Sequence, residues 1–211
     1  MNSKIKNILE WVYCIIIALV ISVLYIYFIG TPTVVKQKSM FPTLVENQRL
    51  YLNRTFRITR KMNFKRGDII TFESPSNAKG GSYEINQSNP VAVYDDGPKN
   101  LFSKFAYYVL GYNKASYIKR VIGLPGEHVK ITGGSVYING EKLEEPYLAA
   151  DVMTESSGYY DFIVPEGHIF AMGDNRNNSS DCRQMGCIPF KKIEGRVVFR
   201  FWPITKIGGV K

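Results

Sequence analysis

The sequence predicts a mainly β protein in which a single N-terminal transmembrane helix is followed by an antiparallel β domain. Three observations predict it. Trp11 to Ile29 carries no charge, the rest of the chain divides into short runs rich in Val, Ile, Tyr and Phe, and no segment beyond residue 30 sustains a long helical period. A content of 45% hydrophobic and 13% aromatic residues excludes a disordered chain. At 211 residues, one anchored domain with room for a subdomain is expected.

The charge-free stretch comes first. As a helix it rises roughly 28 Å, at about 1.5 Å per residue, close to the hydrocarbon thickness of a bilayer. A cleaved secretory signal has an apolar core of only about 7–15 residues ahead of a small-residue cleavage site. Here the run is longer, ends in Tyr25, Tyr27 and Phe28, and leads into Gly30-Thr31-Pro32-Thr33 with no Ala-x-Ala pattern. Residues 11–29 are therefore expected to remain as an anchor, with 1–10 on one side of the membrane and 30–211 on the other. Lys4 and Lys6 are matched by Lys36 and Lys38, so the positive-inside rule leaves the orientation open.

Strands are expected at Arg49–Leu52, Asp68–Phe72, Tyr117–Ile122, His128–Thr132, Val136–Ile138, His168–Met172 and Arg196–Trp202, each bounded by Gly, Pro, Asn or Asp. Asn139-Gly140 after Val136-Tyr137-Ile138 is a two-residue hairpin signal. Strands between about 127 and 168 are expected to form a smaller inserted β subdomain. Residues 73–100, dense in Ser, Asn, Gly and Pro, read as a loop that with Leu101–Tyr112 makes a 73–112 insertion. The aromatic cluster in 101–112 is expected to enter the core as a short helix, the rival being a surface resting on lipid.

Nearly all of the formal net charge of +9 lies beyond residue 30. Seven basic residues and no acidic one fall between Arg49 and Arg66, close to the helix exit. Anionic lipid is a more natural partner for them than nucleic acid, although a solvated basic face fits equally well. Cys14 lies in the apolar helix, whereas Cys182 and Cys187 are close enough in sequence to pair in an oxidising compartment. His128 and His168 have no Cys or His nearby at ligand spacing, so no metal or other cofactor is expected.

The chemistry begins at Ser39, in Lys38-Ser39-Met40-Phe41-Pro42-Thr43-Leu44, soon after the anchor ends. A serine hydroxyl needs a neighbouring base to become a nucleophile. Lys119 is the candidate: strand alternation puts Tyr117, Lys119 and Val121 on one face and Ile118, Arg120 and Ile122 on the other. Burial among apolar neighbours would lower the lysine pKa toward neutrality. An edge strand with two solvated cations is the bland alternative.

A third segment, Gly173-Asp174-Asn175-Arg176-Asn177-Asn178-Ser179-Ser180-Asp181-Cys182-Arg183, reads alone as a polar loop. Taken in order with the Ser39 segment, Arg66-Gly67-Asp68-Ile69-Ile70, and Lys119-Arg120-Val121-Ile122-Gly123-Leu124-Pro125-Gly126-Glu127, it resembles the boxes of the type I signal peptidases. The preceding helix and the closing Phe199-Arg200-Phe201-Trp202-Pro203 match as well, so the resemblance runs from residue 11 to 203 apart from the insertion.

The resemblance implies a membrane-bound serine endopeptidase with a Ser-Lys dyad that cuts secreted preproteins after small residues. It implies Ser39 as nucleophile, Lys119 as general base, Ser179 as the hydroxyl orienting the lysine, and Asp174, Asp181, Arg183 and Arg120 as charged residues bracing the site. It implies that Met40 walls the substrate pocket, and that residues 1–10 are cytoplasmic with the β domain outside. Two departures stand out. Gln37 occupies the place where relatives carry an oxyanion donor, so its amide or the Ser39 N–H alone is expected to serve. Cys182 stands where relatives commonly have serine.

A noncatalytic relative that assists assembly of secreted or pilus proteins is the alternative, and it has no need of Ser39, Lys119 and Ser179 together. A self-cleaving repressor would need a helix-turn-helix, which the apolar N-terminal segment does not supply.

Overall fold

The computed structural model describes residues 3–79, 85–156 and 158–210. Residues 1–2 of the N-terminal segment, 80–84 of the 73–112 insertion and the final residue of the β domain lie outside the described residues. Helix α1 spans Ser3–Phe28, starting earlier than the apolar run because Lys4, Lys6 and Glu10 continue its first turns. From Ile5 to Ile26 nearly all its large apolar side chains are exposed, with Val23 half-buried, so α1 is not the core helix of a globular fold. A helix apolar all round and covered by no protein is consistent with a membrane-anchored protein.

The end of α1 is fastened to the β domain. The last carbonyls of a helix have no intrahelical partner, and two arginines from the basic run fill that role: Arg54 Nη1 donates to Ile26 O at 3.1 Å and Arg57 Nη1 to Tyr27 O at 3.0 Å. The Arg57 guanidinium also lies 4.8 Å from the centre of the Tyr27 ring. Arg66 of the same run donates to Glu127 through both terminal nitrogens. Three of the seven cations are thus structural, while Arg60, Lys61 and Lys65 stay exposed.

Strand β1 (Gly30–Val34) follows α1 after one residue. It was not expected, because Gly and Pro depress strand propensity; pairing with β2 (Arg49–Asn53) over all five residues overrides it. After helix α2 (Phe56–Thr59), the main sheet is completed by β3 (Ile69–Glu73), β4 (Ser116–Gly123), β9 (His168–Met172), β10 (Ile188–Pro189), β11 (Ile193–Trp202) and β12 (Gly208–Gly209). Its order is β1-β2-β11-β3-β4-β9-β10, with β12 on β11 and every pairing antiparallel. A second sheet, ordered β7-β6-β5-β8, contains β5 (His128–Thr132), β6 (Ser135–Ile138), β7 (Glu141–Lys142) and β8 (Asp161–Ile163). At the β6–β7 turn Asn139 (φ 53°) and Gly140 (φ 87°) are both left-handed, as a tight hairpin of this length requires.

Strand side chains of both sheets, including Phe72, Val121, Val129, Val136, Phe162 and Phe170, fill the principal core. A second cluster of Val35, Met40, Leu44, Leu50, Leu52, Ile69 and Val197 lies beneath the Ser39 turn.

The aromatic cluster at 101–112 departs from expectation. Leu101–Tyr108 does form a helix, α3, started by Asn100, whose side chain accepts from Ser103 N at 2.7 Å. None of its residues is buried, because strand side chains already occupy the core. Cys182, at the start of helix α4 (Cys182–Met185), and Cys187 are both buried free thiols.

Candidate active site

Ser39 sits in a single 3-10 turn, Lys38–Met40, in which Ser39 and Met40 are buried. Met40, expected to wall the substrate pocket, has no exposed surface and anchors the turn in the second core cluster. From the other side, Asn175 N donates to Ser39 O at 3.0 Å and Asn175 Nδ2 to Lys38 O at 3.2 Å.

Lys119 comes from β4, which lies between β3 and β9 and is not an edge strand. Lys119 and Arg120 are 1% and 2% exposed, so both cations of the pair are buried and the solvated alternative is overturned. The Lys119 Nζ lies 2.7 Å from Ser39 Oγ and donates to it when protonated; it also donates to Ile118 O at 3.1 Å. Burial lowers the Lys119 pKa from 10.5 to about 8, against the opposing pull of Asp181, Cys182 and Asp174. A lysine with its pKa lowered to about 8, in contact with a hydroxyl, reaches the unprotonated form that proton abstraction requires at mildly basic pH.

Arg120 points to the other face. Its Nε and Nη2 donate to Asp174 Oδ1 and Oδ2 at 2.9 and 2.7 Å, and Nη1 donates to Gly67 O at 3.0 Å. Thr43 accepts from Arg120 Nη2 at 3.3 Å and donates to Asp174 Oδ2 at 2.5 Å, which ties the turn after Ser39 into the pair. Arg183 Nε and Nη2 each meet an oxygen of Asp181 at 2.9 Å, and Asp181 Oδ2 accepts from Gly173 N at 3.0 Å. Such forked pairs satisfy several polar atoms at once, which a buried ion pair needs to offset its desolvation.

Ser179 differs from expectation. Its Oγ is out of contact with solvent and has no hydrogen-bond partner among the described residues, so it is not bonded to Lys119 here. It lies against Gly173: a Cβ on that glycine would fall 2.2 Å from Ser179 Oγ and 2.4 Å from Ser39 O. Gln37 is exposed, caps no backbone N–H, and lines a groove between Thr33–Val34 and Ser116–Ile118.

A family model described as signal peptidase, peptidase S26, matches residues 8–202. The chain belongs to that family. Relatives include signal peptidase I S of Bacillus subtilis, 34% identical over 97% of this chain and 95% of its own length. A signal peptidase I of Leptolyngbya laminosa is 36% identical over 86% of this chain and 73% of its own. The crystal structure of a signal peptidase I from Enterococcus faecalis aligns with 64% of this chain and 96% of its own, at 30% identity and a TM-score of 0.40.

Several residues that shape the site in this family member were not singled out from sequence. Arg176 is buried and pairs with Glu145 and Thr154; it stood inside the Gly173–Arg183 segment with no role attached. Glu145 and Thr154 carried no local signal, since their partner is distant in sequence. Tyr147 packs its ring 3.9 Å from the Arg120 guanidinium. Gly173, within the Gly173–Arg183 segment, is required for steric reasons. Replacement Gly173→Ala is expected to push the Ser39 carbonyl and Ser179 apart, costing about 1–3 kcal/mol of stability by overpacking and lowering hydrolytic turnover about 100-fold. Thermal denaturation and turnover of the same preparation check both.

Proposed function

We propose that the protein is a signal peptidase I, a serine endopeptidase that removes signal peptides from secreted preproteins after small residues. The observation that carries this reading is the 2.7 Å contact between the Ser39 hydroxyl and a lysine whose pKa burial lowers to about 8.

Ser39 Oγ attacks the scissile carbonyl while the neutral Lys119 Nζ takes its proton. The resulting ammonium gives the proton to the leaving amine, and a water activated by the regenerated amine releases the acyl group. Arg120, Asp174, Asp181 and Arg183 hold the segments that carry Ser39 and Lys119. Ser179 supplies the orienting hydroxyl by turning to Lys119 when substrate engages Ser39; its unpaired buried oxygen favours that bond.

The groove beside Gln37 gives the substrate its path. Among the described residues, strand β1 pairs only with β2, and β4 pairs with β9 only from Arg120 onward, so unpaired edges of β1 and of Ser116–Ile118 face each other. An extended peptide fits between such edges by adding main-chain hydrogen bonds. The anchor delivers the site to the surface where signal peptides end, with residues 1–10 in the cytoplasm and the β domain outside. Secreted preproteins and anionic lipid are the partners, and nothing in the reaction calls for nucleic acid or a metal.

Preprotein cleavage in liposomes is expected to fall by roughly four orders of magnitude or more in Ser39→Ala and in Lys119→Met, because members of such a unit fail together. Turnover surviving in either variant removes the dyad. The rate is expected to rise with pH along a one-proton limb centred near 8, since only the neutral amine accepts the serine proton. The same depressed pKa means the unfolded chain holds a proton that the folded one lacks between about 8 and 10.5, so this group adds stability as pH rises through that window. If Gln37 supplies an oxyanion donor, Gln37→Ala lowers turnover about 100–1,000-fold; an unchanged rate leaves the Ser39 N–H as the donor.

A further inference from the structure

Helix α3 is amphipathic in the wrong sense for a soluble domain. Its partly covered positions include Ser103, Ala106 and Tyr107, whereas Leu101, Phe102, Phe105 and Tyr108 face outward, with Leu101 and Phe102 85% and 81% exposed. A surface helix ordinarily turns its apolar stripe inward, and a contiguous exposed patch of aromatic residues marks a contact surface. Leu110 and Tyr112 extend it beyond the helix.

The position of α3 says what covers that patch. Tyr107–Gly111 line one cavity together with Ile26 near the C-terminal end of α1, and Tyr108 lines another with Tyr27. Lys114 fastens the loop after α3 to the β domain, contacting Glu194 at 2.7 Å and Glu73 at 3.4 Å. On a further side of α1, an apolar groove runs between Ile21, Leu24, Tyr25, Phe28 and Ile58, with Arg60 at its rim. The exposed patch is therefore held at the level where α1 leaves the bilayer, beside basic side chains.

We propose that α3 is an interfacial helix: Leu101, Phe102, Phe105 and Tyr108 lie among the lipid headgroups and upper acyl chains around the exit of α1, with Lys104 at the phosphate level. Aromatic residues favour that layer, and a cation at its edge meets anionic headgroups. The short helix α2, through Ile58, flanks α1 elsewhere, so the membrane helix leaves the bilayer through a collar. The domain is then held at two points and cannot pivot freely about its anchor. The inference rests on α1 spanning the membrane.

The test places tryptophan in the full-length protein, reconstituted in vesicles of phosphatidylcholine and phosphatidylglycerol carrying brominated acyl chains, and reads the difference from the parent spectrum. Phe102→Trp is expected to emit at shorter wavelength than in detergent-free buffer and to be quenched best by bromines nearest the headgroup. Val20→Trp, within α1, is quenched best by bromines near the chain ends if α1 spans. Lys142→Trp, on β7, stays unquenched. Quenching of Val20→Trp together with none at Phe102→Trp overturns the α3 proposal alone, including the case in which a second copy of the chain covers the patch. No quenching at either position overturns both the anchor and the collar. Cleavage of a short soluble peptide by Phe102→Trp, equal to that of the parent, shows that the fold is intact in either case.

Discussion

The burial of Lys119 is the constraint on which the rest of the site depends. A lysine side chain resists removal from water, and here it is held against a serine on a strand that lies between β3 and β9. Two consequences follow from the same displacement of solvent. The amine's pKa is lowered from 10.5 to about 8, and its contact with Ser39 is protected from competing water. Asp181 and Asp174 favour the charged form, so the lysine sits in a balance between desolvation and attraction. That balance leaves a pKa near physiological pH, where the amine can both accept a proton and return it.

Around this lysine the protein assembles an ionic frame. Arg120 with Asp174, Arg183 with Asp181, and Arg176 with Glu145 are buried pairs, each linking segments far apart in the chain or fixing one loop upon itself. Replacing a buried pair with apolar residues of similar volume is often neutral or stabilising, so such pairs are weak evidence for stability. Their value here is positional. Asp174 reaches Thr43, Asp181 holds the Gly173 amide, and Gly173 makes room for the Ser39 carbonyl. Ser39 is thus located by a relay of contacts whose charged members never touch its hydroxyl.

How much of this was legible in the sequence depended on the range of the interaction. The apolar run, the strands with regular alternation and the Asn139-Gly140 hairpin are local patterns; the run lies within a longer helix, Ser3–Phe28, and the alternating strands and the hairpin form near where the sequence puts them. Ser39 and Lys119 became visible as a pair only through ordered motifs, since spacing alone left a solvated lysine the simpler reading. Strand β1 was hidden because its Gly and Pro argue against a strand until β2 is beside it. Helix α3 was misjudged because hydrophobicity does not reveal which solvent a face meets. Ser179 and Met40 show a further limit: motifs preserve positions, whereas hydrogen bonding and exposure are decided by neighbours many residues away.

The attachment of α1 has a mechanical meaning. One residue separates the helix from β1, and Arg54 and Arg57 clamp its last carbonyls to the domain, so the helix is a rigid post and not a leash. With α1 spanning the bilayer, Ser39 on such a post would stand at a set height above the membrane. On the function proposed above, such a post would act as a gauge: the bond cut would be set by how many residues separate it from the point where the substrate's own apolar segment surfaces, and side-chain fit would decide among the few bonds within reach.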